Sequence, residues 1–109
     1  MSKLDRLAIR LAALEAQYRD RLIEGLRACA AGHWGLFGHD EHLGSTIRAP
    51  AVVQELIDLG NDISAMRQRL GLKPFSLHAQ FLAARGQAAL NAPGEPKQAQ
   101  TWLTELEEA

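Results

Sequence analysis

One cysteine, Cys29, is all this chain has, so no internal disulfide can staple it and its stability must come from packing. Charge of one sign is missing too. Twelve Lys and Arg stand against 13 Asp and Glu, and the stretches before and after Ala49 hold seven bases against six acids and five against seven. Neither half is a polyelectrolyte, which removes the electrostatic drive toward nucleic acid or an anionic membrane. Long apolar runs are absent as well, because an Asp, Glu, Lys or Arg interrupts each one before ~18 residues, and no membrane span is expected. Asp5, Arg6 and Arg10 stand where a secretory signal needs an unbroken apolar stretch, so the expected location is cytoplasmic. There is no internal repeat, no low-complexity tract and no motif specific enough to name a reaction or a cofactor. The expectation is therefore a protein that is not an enzyme and carries no cofactor.

What remains is helical. At 109 residues the chain is one domain, 1–109, able to bury roughly 65% of the surface its unfolded form exposes. From Leu4 the apolar positions fall at Leu7, Leu11, Leu14 and Tyr18, then at Leu22, Leu26 and Cys29, which is one helix face over about eight turns. Ser2 with Asp5 resembles a capping box, and Gly32 suits the left-handed residue that ends a helix. A second seam begins after Pro50 and runs Val52, Leu56, Leu59, Ile63, Met66, Leu70 until Gly71 stops it. Lys73-Pro74 breaks the chain. Ser76 can cap a short third helix whose apolar side is Leu77, Phe81 and Leu82 and which ends near Gly86. The stretch from about 87 to 96 is turn chemistry and reads as a flexible linker. From about Lys97 a last amphipathic helix puts Ala99, Trp102, Leu103 and Leu106 on one face.

These lengths predict an all-α fold: a long antiparallel helix hairpin with two shorter helices packed on it. At 1.5 Å per residue the first helix extends about 42 Å and the second about 30 Å, so part of the first has no partner in the second. Leu4, Leu7, Leu11 and Leu14 need cover, which points to a helical bundle assembled as a homodimer or higher oligomer. The function that follows is a small non-enzymatic interaction or scaffolding protein acting as a homo-oligomer. Trp102, on a short helix behind a linker, is a further docking candidate. Its own body or a sister subunit is the favoured site, and an unidentified protein partner the other.

The connection from Cys29 to Gly44 is the least ordinary segment, with four glycines, Trp34, Phe37 and three of the four histidines. His33, His39 and His42, with Glu41 as a possible base, could supply donors for a metal or line a small-ligand site. Their spacing is not that of two ligands on one helix face, and Gly38 and Gly44 argue against a continuous helix, so no bound metal is expected. Trp34, Leu36 and Phe37 are instead expected to plug the open end of the hairpin. Cys29 and His33 are four apart, as a thiol and a base on one helical turn would be. The C-terminal end of a helix disfavours a thiolate, however, and a buried inert thiol is expected.

Within 63–85 a second functional pattern appears. Arg69-Leu-Gly-Leu-Lys-Pro-Phe-Ser-Leu-His-Ala-Gln-Phe81 is similar to the turn and second helix of helix-turn-helix DNA-binding domains, over about 13 of 109 residues. The resemblance implies a recognition helix carrying His78, Gln80 and Arg85. Arg67 stands where such domains place a small residue, and a net charge of −1 supplies little phosphate neutralisation, so nucleic acid is not the expected partner.

Overall fold

Four stretches of this chain satisfy the local rules for helix formation, and a computed structural model, which describes residues 2–32, 48–87 and 95–108, makes all four helical. They are α1 (Lys3–Ala30), α2 (Arg48–Arg69), α3 (Ser76–Gln87) and α4 (Glu95–Glu108), with no strand among the described residues. The connection that holds His33, Trp34, Leu36, Phe37, His39, Glu41 and His42 lies outside the described residues, as does 88–94. No helix is long and apolar enough to cross a membrane among the described residues.

The ends of α1 and α2 are set locally. Ser2 Oγ accepts from the Asp5 backbone N–H at 3.1 Å while Asp5 Oδ2 accepts from the Ser2 N–H at 3.2 Å, which satisfies two of the donors that a helix N-terminus leaves open. At the other end Gly32 has φ 80° and its N–H donates to Cys29 O at 3.0 Å. α2 ends in a Schellman turn. Gly71, at φ 71°, donates to Gln68 O at 3.1 Å and Leu72 donates to Arg67 O at 2.8 Å. An l-residue with a Cβ would be strained at Gly71, so this glycine determines where the chain leaves α2 and turns toward α3.

Helix limits depart from the sequence reading by one to three residues. α2 starts at Arg48, with Pro50 in its first turn. Ser76 is the first residue of α3 rather than its cap, since Phe75 O accepts from the Ala79 N–H at 3.2 Å. α4 starts at Glu95, so helix occupies both ends of the segment expected to be linker.

α1 is the axis of the molecule, packing on both α4 and α2, while α2 also packs on α3. α1 buries Leu11, Tyr18, Leu22, Gly25, Leu26 and Cys29, and α4 buries Ala99, Trp102, Leu103 and Leu106. Each large apolar side chain among these is worth about 1.5–3 kcal/mol in area removed from water. Arg19 of α1 donates to Leu106 O at 2.8 Å, which satisfies a carbonyl at the negative end of α4 and ties that end to α1. Among the described residues, two ion pairs join α1 to α2: Arg21 Nε to Glu55 Oε1 at 2.9 Å, and Arg67 to Glu15.

The inner face of α2 differs from the heptad seam read in the sequence. Val53, Leu56, Gly60 and Ile63 are the buried positions, whereas Leu59, Met66 and Leu70 are half-buried. In α3 the buried residues are His78 and Phe81, and Leu82, expected on the apolar side, is 47% exposed. Gly60 of α2 and His78 of α3 meet where the two helices approach closely.

Candidate functional site

A histidine ring fills the notch that a glycine leaves in α2. A Cβ placed on Gly60 would overlap Cε1, Nδ1 and Cδ2 of His78, so the two helices can sit this close only with glycine there. His78 is 5% exposed, and its Nδ1 lies 2.9 Å from the hydroxyl of Tyr18, which is fully buried in α1. Burial lowers the pKa of His78 below its ordinary value and raises that of Tyr18, because each charged form would be stripped of water. Both groups are therefore neutral at pH 7. The phenol and the ring share one hydrogen bond at Nδ1, and the ring tautomer sets which of the two donates.

Aromatic edges complete the arrangement. The Tyr18 ring meets Phe75 edge-on at 5.2 Å and His78 edge-on at 5.5 Å, while Phe81 stacks on His78 at 6.5 Å. Arg67 lies over Phe75 with its guanidinium carbon 5.9 Å from the ring centroid, pairs with Glu15, and donates from Nε to Lys73 O. One side chain thus ties the turn after α2 to α1. The cluster has an acceptor, a donor and a positioned cation. Its titratable pair is sealed against solvent, and it holds α3 onto α1 and α2.

The burial of His78 bears directly on the helix-turn-helix resemblance. A side chain that is hydrogen-bonded inside the molecule cannot reach a base edge, so α3 is left with Gln80 on its exposed surface and Arg85 half-buried. Arg67 stands in the place of the small residue, and here it clamps the turn instead.

The leucine stripe expected to mediate association is divided. Leu4 is 61% exposed, Leu7 and Leu14 are half-buried, and Leu11, at 5%, belongs to the core of the single chain and is not available to a partner. Leu7 and Leu14 line a groove of about 350 Å³ between α1 and α2, with Ala65 and Met66 opposite and Arg10, Asp62 and Arg69 around it. Trp102 is buried against the chain's own body. Its remaining surface contributes to a shallow cleft of about 340 Å³ with Gln80 and Ala84 of α3 and Gln98 and Glu105 of α4. Cys29 is buried. His33, His39, His42 and Glu41, the metal candidates, and Trp34 and Phe37, the plug, fall on residues the structure does not describe. No group of three metal-capable side chains occurs among the described residues.

Sequence reasoning missed Tyr18, Gly60 and His78 as a unit. Tyr18 was placed on the right face, but a glycine carries no hydropathy signal and a histidine reads as polar. The available signal is positional, since His78 and Phe81 are three apart and so share one face of α3. Comparison with known protein families, with curated proteins and with solved structures finds no match for this chain.

Proposed function

We propose that this chain is a non-enzymatic helical interaction module that acts as a homo-oligomer, with the N-terminal half of α1 as the associating element. The observation that carries the reading is Leu4. It stands seven residues before Leu11 and fourteen before Tyr18, so all three lie on one face of α1 to within about 40°. Leu11 and Tyr18 are buried, yet Leu4 is 61% exposed. The core-facing stripe of α1 thus continues past the part of the bundle that covers it, and the groove beside Leu7 and Leu14 adjoins it. An apolar stripe of this kind is what a second helical surface buries.

The hairpin belongs to the same reading. Arg21 pairs with Glu55 and Glu15 with Arg67, so falling numbers on α1 meet rising numbers on α2 and the two helices run as antiparallel arms. α1 has 28 residues and α2 has 22, and Leu4 stands one turn before Leu7, where the groove shared with α2 begins on α1.

Sedimentation equilibrium of the full chain at micromolar concentration tests the function. The expected mass is at least twice 12.0 kDa, falling toward that value in Leu4→Glu. A monomer for the unmodified chain overturns the reading.

A further inference from the structure

Two oppositely charged side chains of α2, Asp62 and Arg69, line the groove between α1 and α2. Asp62 and Arg69 are exposed on α2 and have no ion-pair partner among the described residues. They are seven residues apart, which places them on one face of α2 about 10 Å from each other along its axis. On the opposite wall Leu7 and Leu14 of α1 repeat the same interval, and Ala65 and Met66 form the middle of the groove.

A two-fold axis crossing the helices midway along the groove reverses each of these intervals. When a second copy is set against the first in that way, the basic end of one α2 faces the acidic end of the other. The same operation brings the first leucine of one α1 opposite the second leucine of the other. The middle of each groove meets its own counterpart, with Met66 and Ala65 at the axis. A surface complementary to its own reversed image is what an isologous contact requires, and a groove with one acidic and one basic end has that property on this axis. Arg10, on the outer wall of α1 near the axis, meets its own symmetry mate and opposes the contact.

We propose that the groove between α1 and α2 is the interface of a two-fold homodimer, in which Asp62 pairs with the partner subunit's Arg69 and Leu7 packs on the partner subunit's Leu14, each contact occurring twice. The proposal rests on the self-association reading and assigns it a surface, an orientation and a charge pairing.

Sedimentation equilibrium of the full chain, with far-ultraviolet circular dichroism to confirm folding, tests it on five proteins: unmodified, Asp62→Arg, Arg69→Asp, the double exchange, and Arg10→Gln. Each single variant creates two like-charge contacts, and the dimer Kd is expected to rise about tenfold or more. The double exchange restores opposite charges and is expected to recover the Kd to within about threefold of the unmodified chain. Arg10→Gln, which relieves a like-charge approach, tightens the dimer. Association that neither single variant changes overturns this surface while leaving self-association standing. A double exchange as weak as the singles overturns the pairing of these two positions. An unmodified chain that stays monomeric to about 100 µM overturns this proposal and the function reading together.

Discussion

Gly60→Ala sets two effects of opposite sign against each other at one atom. In an ordinary helix interior the change from glycine to alanine stabilises by about 0.8–1.0 kcal/mol, because alanine has less backbone freedom to lose on folding. Here the added Cβ falls among three atoms of the His78 ring. The ring is stacked with Phe81 and hydrogen-bonded to Tyr18, two contacts that a retreat from the new Cβ would disturb. Overpacking of this kind costs about 1–3 kcal/mol when the backbone shifts to absorb it. If α3 lifts away instead, the burial of Phe81 is reduced, worth about 1.5–3 kcal/mol, and the Tyr18 hydroxyl loses its hydrogen-bond partner at about 1–3 kcal/mol. Set against the propensity gain, the first route leaves a net loss of up to about 2 kcal/mol and the second a larger one, so the net expectation is a destabilisation of about 1–2 kcal/mol. Thermal unfolding followed by circular dichroism should then show Tm lowered by roughly 5–15 °C. The double variant Gly60→Ala, His78→Ala removes the colliding ring, so its loss should be smaller than the sum of the two single losses, a coupling that urea titration of all four proteins measures. A Gly60→Ala protein as stable as the unmodified chain, or more so, would refute the close approach of α3 to α2.

Tyr18→Phe leaves the buried Nδ1 of His78 without its hydrogen-bond partner and should lower stability by about 1–3 kcal/mol in urea unfolding, with helix content unchanged. Acidification should also weaken the fold. His78 has a folded-state pKa below its ordinary value of about 6.5, so the unfolded chain binds more protons between the two values. Stability from this group is present above about pH 6.5 and is lost as pH falls through the folded-state pKa, and His78→Gln should flatten that part of the profile relative to the unmodified chain. Leu11→Ala should cost about 2–5 kcal/mol, as expected for a core leucine. Leu4→Glu should leave monomer stability within about 0.5 kcal/mol and act on association alone, a contrast that calorimetry and sedimentation together check. Arg67→Ala leaves Glu15 unpaired and Lys73 O without its donor, and a loss of about 1–3 kcal/mol in urea unfolding is expected.

Much of what is decided within one or two helical turns was legible in the sequence. The capping box of Ser2 and Asp5, the positive φ of Gly32 and Gly71, and the face of α4 that carries Ala99, Trp102, Leu103 and Leu106 all depend on neighbours close along the chain. Their energetics are local, and residue type with spacing is sufficient to state them. Tertiary structure alone decided which length of each apolar stripe is covered. Leu4 and Leu11 occupy the same face of α1, and periodicity cannot tell that one is exposed and the other is core, because it gives an angle around the helix axis and not the position of a neighbour along it. The same holds for His78, Tyr18 and Gly60, which lie up to 60 residues apart along the chain. A polar ring becomes a core residue only when a distant hydroxyl satisfies it and a distant glycine makes room for it, and neither condition is written in the residues beside it.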